Sequence, residues 1–161
     1  MDNVLTDSAE GRRDGLKNLE FLREFMAVQG ISVSKAAELM GYTRHAILKW
    51  FRTDDAMLSV VQFLFERCGY RLVLTMDRPQ EGRSVKVSLP DDGPSMPTRR
   101  LAFLDRALKS AGLSHAATSK MLGMSQSSVG YWLRVDDCAV SRLFEIAEKT
   151  GMVLSIEIRK R

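Results

Sequence analysis

The sequence has few of the residues that build metal centres, disulfides and catalytic sites. Its 161 residues include only two cysteines and two histidines. Cys68 and Cys138 show no paired-ligand spacing, so we expect free thiols in a reducing cytoplasm rather than a disulfide or a zinc site. The sequence also has no glycine-rich phosphate loop and no paired carboxylates on a shared face. We therefore expect a protein that is not an enzyme, with no catalytic residue, metal or cofactor.

Long apolar runs are absent as well. No segment approaches the roughly 18 apolar residues that a membrane span requires, and the first residues lack the apolar core of a signal peptide. With 45% apolar and 27% charged residues, the composition is typical of a globular protein. We therefore expect a cytoplasmic protein with no membrane partner.

The positive charge is modest and uneven. Residues 1–80 carry 11 Lys or Arg and 11 Asp or Glu, whereas residues 81–161 carry 13 and 9, which accounts for the net charge of +4. A pI near 9.3 is compatible with a nucleic-acid partner but does not specify one.

The main feature that the sequence does contain is an internal repeat. Residues 21–76 align without a gap on residues 103–158 at a constant offset of 82, with 13 of the 56 positions identical. Gly41 falls on Gly123, Trp50 on Trp132, and Asp54-Asp55 on Asp136-Asp137. A repeat of about 60 residues is too long for a solenoid and has the size of a small domain.

Apolar periodicity predicts four helices and one strand in each copy. Ser32 and Thr43 are expected to cap the second and third helices, and Ser125 the third helix of the second copy. The aspartate pairs are expected to cap the fourth helix, and the phenylalanines at helical spacing are expected in the core. The four phenylalanines in that group are Phe63, Phe65, Phe103 and Phe144.

Alternating apolar residues predict strands over 70–76, 84–89 and 152–158. Because two strands alone are marginal in water, we expect the strands to pool in one antiparallel sheet, within the chain or between two chains of a homodimer. The fold class is thus mainly α with a small antiparallel β element, built from two tandem four-helix domains. The predicted divisions are a flexible leader (1–15), a first domain (16–76), a turn, strand and Pro-rich linker (77–97), and a second domain (98–161).

The second and third helices of each copy have the spacing of a helix-turn-helix. That motif needs a small residue on the second helix, a tolerant residue at the turn, and two apolar residues on the third helix. The first copy supplies Ala37, Gly41, Ile47 and Trp50, and the second supplies Ser119, Gly123, Val129 and Trp132.

These residues resemble the helix-turn-helix of the phage repressor/Cro-like (XRE-type) family, over about 50 residues of each copy. The second copy is the closer of the two, with Gly112-Leu113-Ser114 before its second helix and Ser125-Gln126-Ser127-Ser128-Val129 opening its third. The resemblance implies a helical bundle that binds double-stranded DNA, usually as a transcriptional regulator and more often as a repressor. It places the third helix in the major groove.

The outward face of the third helix supplies the candidate base contacts, whose chemistry suits guanine and adenine edges. They are Arg44, His45 and Lys49 in the first copy, and Gln126, Ser127 and Tyr131 in the second. Phosphate contacts are expected from the start of the second helix and the loop after the third. The candidates are Ser34, Lys35, Arg52, His115 and Arg134, of which the two arginines could instead pair with the neighbouring aspartates.

Alternative functions remain open at this stage. The chain could be an antitoxin or adaptor that uses the same helices to hold a protein partner such as a toxin, with or without DNA binding. One of the two motifs could also have lost DNA binding and serve as a scaffold. Without such a loss, the different reading faces predict an asymmetric DNA site, with one half that favours guanine and one that tolerates adenine.

Overall fold

The computed structural model describes residues 3–8, 18–78 and 99–161. They form eight helices and three strands. The helices are α1 (Glu20–Gln29), α2 (Val33–Met40), α3 (Arg44–Thr53), α4 (Leu58–Arg67), α5 (Ala102–Ser110), α6 (His115–Met121), α7 (Ser128–Val135) and α8 (Val140–Thr150). The strands are β1 (Asn3–Ser8), β2 (Tyr70–Asp77) and β3 (Val153–Lys160). The protein is therefore mainly helical with a small antiparallel sheet, as the sequence predicts.

Short-range capping sets the ends of α2 and the start of α3. The Ser32 hydroxyl accepts a hydrogen bond from the Lys35 N–H at 3.0 Å, and Gly41 follows the helix with a φ of 69°. The Thr43 hydroxyl accepts from the Ala46 N–H at 3.1 Å. Both predicted caps are confirmed. They could be predicted from the sequence because each cap joins residues only three positions apart.

The start of α7 differs from its prediction. The helix begins at Ser128, and the Ser125 hydroxyl lies 2.9 Å from the Ser128 hydroxyl instead of accepting from a backbone N–H. Gln126 and Ser127 therefore lie in the turn that leads into α7 rather than in its first helical turn.

The first aspartate of each repeated pair caps a first helix. Asp54 accepts hydrogen bonds from the N–H groups of Asn18 (2.8 Å) and Leu19 (3.1 Å), directly before α1. Asp136 does the same for Arg100 (2.7 Å) and Leu101 (2.8 Å), directly before α5. Both aspartates have a positive φ, 54° and 59°, which turns their carboxylates back toward these helices.

The second aspartate of each pair crosses to the other copy. Asp137 accepts from the Ser59 N–H at 3.0 Å and from its hydroxyl at 2.5 Å, at the start of α4. Asp55 accepts from the N–H (3.0 Å) and hydroxyl (2.5 Å) of Ser141, at the start of α8. The prediction that each pair caps the fourth helix of its own copy is therefore wrong. The caps are exchanged because α4 and α8 begin side by side.

The sheet has the strand order β1-β3-β2, with β3 antiparallel to both neighbours. β2 and β3 pair over their whole length, from Tyr70 with Lys160 to Asp77 with Val153. At the centre, Leu74 pairs with Ile156, its own counterpart in the repeat. The prediction that these two strands share one sheet is confirmed, and the pairing is within the chain. Each strand runs one or two residues beyond its predicted C-terminal end.

A second contact repeats the same symmetry at the helix starts. Met57 forms a β-bridge with Ala139, which is again its counterpart at the 82-residue offset. The flanking hydrogen bonds exchange in the same way, from the Leu58 N–H to the Cys138 carbonyl and from the Val140 N–H to the Ala56 carbonyl, both at 2.9 Å. Both contacts therefore join counterpart residues, as an approximate internal two-fold axis between α1–α4 with β2 (the first unit) and α5–α8 with β3 (the second unit) would require.

The buried side chains of the two units form one hydrophobic core. Three of the phenylalanines predicted in the core, Phe65, Phe103 and Phe144, are buried. Phe63 is 41% exposed, with the Arg67 guanidinium 6.0 Å from its ring centre, so this prediction is wrong. A domain normally has a hydrophobic core of its own. Because the two units share one core, their division into two domains stays a prediction.

The N-terminal segment also departs from expectation. Residues 3–8, predicted to be part of a flexible leader, form strand β1 on the free edge of β3. Periodicity could not indicate this, because pairing on a sheet edge depends on a partner about 150 residues away in the chain. The predicted strand at 84–89 and the Pro-rich linker lie outside the described residues.

Candidate nucleic-acid interface

Each unit contains a tight helix pair in the place predicted for the helix-turn-helix. α2 packs on α3, and α6 packs on α7. Ala37 and Ile47 are buried in the first pair, and Ser119 and Val129 are fully buried in the second. The half-buried Trp50 and Trp132 pack against the core from the third helix of their units.

In the second pair a buried serine hydroxyl forms a hydrogen bond between the two helices, and the first pair has alanine at the matched position. The Ser119 hydroxyl accepts a hydrogen bond from the Val129 N–H at 3.0 Å and donates to the His115 carbonyl at 2.9 Å. It thereby joins α6 to α7 through one buried side chain. The sequence predicts a small residue here but not this bond, which depends on the helix crossing.

The outward face of α3 is exposed and basic. Arg44, His45, Lys49 and Arg52 are all exposed, and their side chains make no hydrogen bond or ion pair with the described part of the chain. The charged groups predicted to contact DNA in this unit are therefore brought together on one face and are accessible.

Leu48 lies among these side chains and was missed by the sequence reasoning. It is 45% exposed and lies one helical turn after Arg44 and one before Arg52. The spacing of 44, 48 and 52 on one helix face could have identified it. Leu48 was not among the candidates because those were chosen for side chains that form hydrogen bonds to base edges.

The outward face of α7 is less basic. Tyr131 is 52% exposed, and the Arg134 guanidinium stacks over its ring at 5.4 Å from the centre. Gln126 and Ser127 are exposed beside it. A cleft of about 570 Å³ opens on this face, lined by Ser125, Ser127, Ser128, Gly130, Tyr131, Trp132 and Arg134.

The candidate phosphate contacts differ between the units. Ser34 and Lys35 are exposed in the first turn of α2, and Lys35 makes a long contact of 3.6 Å with Glu38. Such an exposed ion pair contributes little to stability and leaves the ammonium group available to a phosphate.

His115 is not free in the same way. Its Nε2 atom lies 2.9 Å from the Asp105 carboxylate, which also lies 3.3 Å from the Lys109 ammonium. Burial raises the pKa of Asp105, but its hydrogen bonds and charge interactions with His115 and Lys109 outweigh this and lower the pKa overall. His115 therefore joins α6 to α5 through Asp105, and its role as a phosphate contact stays a prediction.

The repeated arginines do not pair with the repeated aspartates. All four aspartate carboxylates accept from backbone N–H groups at the helix starts, and two of them also accept from serine hydroxyls. In the described residues, Arg52 and Arg134 are exposed and have no carboxylate partner. Of the two alternatives for these arginines, the phosphate contact is the one compatible with this geometry.

Metal-binding and membrane-spanning features are not found in the described residues. Within residues 18–78 and 99–161, no group of three or more His, Cys, Asp or Glu is placed to hold a metal ion. Nor does any helix in these ranges have the length and apolar character needed to cross a bilayer.

Comparison of the chain with protein-family models, with curated proteins and with solved structures gives no match. The function is therefore inferred from the residues and geometry of these two helix pairs.

Proposed function

We propose that the protein binds double-stranded DNA in a sequence-specific manner and acts as a transcriptional repressor. The observation that carries the proposal is the presence of two matched helix pairs, α2–α3 and α6–α7, in units joined by contacts between counterpart residues. Each pair presents an exposed third helix whose side chains suit base and phosphate contacts.

The two-fold axis supports one duplex as the common target. DNA-reading dimers present two equivalent helices to half-sites about 34–36 Å apart, and the dyad of the protein coincides with the dyad of the duplex. In this chain the two units belong to one polypeptide and are held together by hydrogen-bonded contacts between counterpart residues, the Met57–Ala139 bridge and the Leu74–Ile156 pair. One chain would therefore bind one inverted pair of half-sites.

The chemistry of the two reading faces supports unequal half-sites. Arg44 can donate two hydrogen bonds to guanine O6 and N7, while Gln126 can pair with adenine N6 and N7. Lys35, Arg52 and Arg134 are positioned to contact phosphates, which contribute affinity without sequence preference. The DNA site would be an imperfect palindrome.

Selection of bound sequences from random duplex DNA, at one fixed salt concentration, tests the proposal. For the wild type we expect two half-sites in inverted orientation that differ in sequence. Arg44→Ala should relax the sequence of one half-site and Gln126→Ala that of the other, each by about 1–3 kcal/mol per base contact.

Lys160→Ala is the matched control, because it removes one exposed positive charge from the sheet strand β3. It should leave the selected sequence unchanged. Failure to select any sequence, or a selected sequence that neither reading-face variant alters, would refute the proposal.

A further inference from the structure

The two reading faces differ most at one matched position, where Leu48 in α3 corresponds to Gly130 in α7. Leu48 is 45% exposed and is not among the residues that pack on the core. The Leu48 side chain therefore lies in the middle of a polar, exposed helix face, and the described structure shows no packing contact by which it would stabilise the fold.

Gly130 is equally unexplained by the fold. It lies inside helix α7, where glycine is less favourable than alanine, and its φ is not in the positive region that requires glycine. A Cβ atom added there would come no closer than 3.9 Å to its nearest neighbour in the described chain, the Nδ1 atom of His115. Because a side chain would fit, nothing in the described part of the fold requires glycine at this position.

Resting on the proposed function, we infer that this position sets the orientation of the protein on its DNA site. Leu48 contacts the C5-methyl group of a thymine in the half-site below α3, since an apolar side chain in the major groove reads that methyl group. Gly130 exposes the backbone of α7 and allows it to approach the other half-site closely. The hydrogen-bonding residues on either side then read the neighbouring bases.

Replacement of thymine by deoxyuridine tests the Leu48 contact, because it removes only the methyl group. On the selected duplex, deoxyuridine at the contacted position of the α3 half-site should weaken wild-type binding about fourfold, the value of one buried methyl group. For Leu48→Ala the thymine and deoxyuridine duplexes should bind equally. Val28→Ala is the matched control, because Val28 is a 63% exposed apolar residue on α1, and this variant should keep the wild-type preference for thymine.

Gly130→Ala tests the second half of the inference. The variant should be at least as stable to urea as the wild type, because alanine favours helix, yet it should bind the selected duplex at least tenfold more weakly. A purely structural role for Gly130 predicts the reverse order, with lower stability and unchanged affinity.

The outcomes separate this inference from the proposed function. Specific DNA binding with no effect of deoxyuridine at any α3 half-site position, or with full affinity of Gly130→Ala, overturns the inference alone. The absence of specific DNA binding in the wild type overturns both.

Discussion

At the scale of single residues, Asp137 joins parts of the chain that are distant in sequence. Its carboxylate accepts from the Ser59 N–H and hydroxyl and from the Cys138 N–H. The negative charge also lies at the N-terminal end of α4, where it is favourable. One side chain thus stabilises α4 and fixes the second unit against the first.

Replacement of Asp137 should reveal this cap. We expect Asp137→Ala to lower the free energy of unfolding by about 1–2 kcal/mol, because the first turn of α4 loses its acceptor. Asp137→Asn should cost less, because the amide oxygen remains a good capping group. Urea denaturation followed by circular dichroism measures both changes.

The control for this pair is Glu66→Ala, which removes an exposed carboxylate from the other end of the same helix. It should leave the free energy of unfolding within about 0.5 kcal/mol of the wild type. Equal stability of Asp137→Ala and wild type would show that the exchanged cap is not stabilising.

Cys138 lies at the same junction and is 1% exposed. Burial raises the pKa of its thiol from an ordinary value of 9.0 to about 12, and the charges of Asp137 and Asp55 add to this effect. The reactive thiolate is therefore scarce in the folded protein near neutral pH. In Cys68→Ser, which leaves Cys138 as the sole cysteine, a disulfide reagent at pH 8 should react only as fast as the protein unfolds. Fast labelling of this variant without denaturant would contradict the burial of Cys138.

The raised pKa of Cys138 also makes stability depend on pH. Below about pH 9 the thiol is protonated in both folded and unfolded chains, so its contribution is fully present. As the pH rises from 9 toward 12, the unfolded chain loses this proton before the folded one, and the free energy of unfolding falls. The difference in free energy of unfolding between wild type and Cys138→Ala, measured by denaturation at each pH, should therefore shrink or change sign between pH 9 and 12. A constant difference between them across the interval would show that the pKa is not raised.

At the scale of elements, the sequence predicted those helix ends that depend on contacts between residues close together in the chain. The α2–α3 pair was predicted correctly, because Ser32, Gly41 and Thr43 each act within a few residues of the helix that they end or begin. The exchanged caps of Asp55 and Asp137 were not, because their partners Ser141 and Ser59 lie about 80 residues away. Strand β1 was missed for the same reason, since its pairing with β3 joins the two ends of the described chain.

Strand β3 is the element on which the sheet depends most, because it pairs with both β1 and β2. Removal of residues 152–161 also removes four buried side chains, Met152, Leu154, Ile156 and Ile158. We expect this truncation to destabilise both units, since each buried aliphatic side chain contributes about 1.5–3 kcal/mol.

Trp50 and Trp132 allow the effect to be followed in each unit separately. Trp132→Phe leaves fluorescence from the first unit, and Trp50→Phe leaves it from the second. In the full-length chain we expect both variants to unfold at the same urea concentration, as one cooperative structure does. In the truncated chain both signals should shift together. If the Trp50 fluorescence of the truncated chain still reported unfolding at the urea concentration of the full-length chain, the first unit would fold independently.

At the scale of the whole molecule, the repeat, the exposed face of α3 and the pairing of β2 with β3 were predicted from the sequence, but the contacts at the starts of α4 and α8 were not. The exposed positions of α3 follow from helical periodicity, so Arg44, His45 and Lys49 were placed on one face correctly. The contact between His115 and Asp105 was not predicted, because Asp105 lies on another helix. The two-fold axis itself depends on contacts between residues 82 positions apart, such as Met57 with Ala139, which no local pattern encodes.

The contacts between the units predict a fixed spacing for the proposed DNA site. If the Met57–Ala139 bridge and the β2–β3 pairing hold one unit against the other, a chain that binds DNA as proposed accepts half-sites at only one distance. Insertion of five base pairs between the half-sites rotates them by about half a turn, and insertion of ten restores the facing but separates them by about 34 Å more. We expect both insertions to reduce affinity to that of a duplex with one half-site, measured by fluorescence anisotropy at one salt concentration.

The duplex with a single half-site is the control, because it measures what one unit contributes alone. Binding of one chain per parent duplex, determined by sedimentation, distinguishes the internal two-fold arrangement from a dimer of chains that each use one motif. If the ten-base-pair insertion bound as tightly as the parent, the units would have to separate. The contacts between the units would then be too weak to fix the spacing, since only a linkage long enough to span the separated half-sites lets both units bind at once.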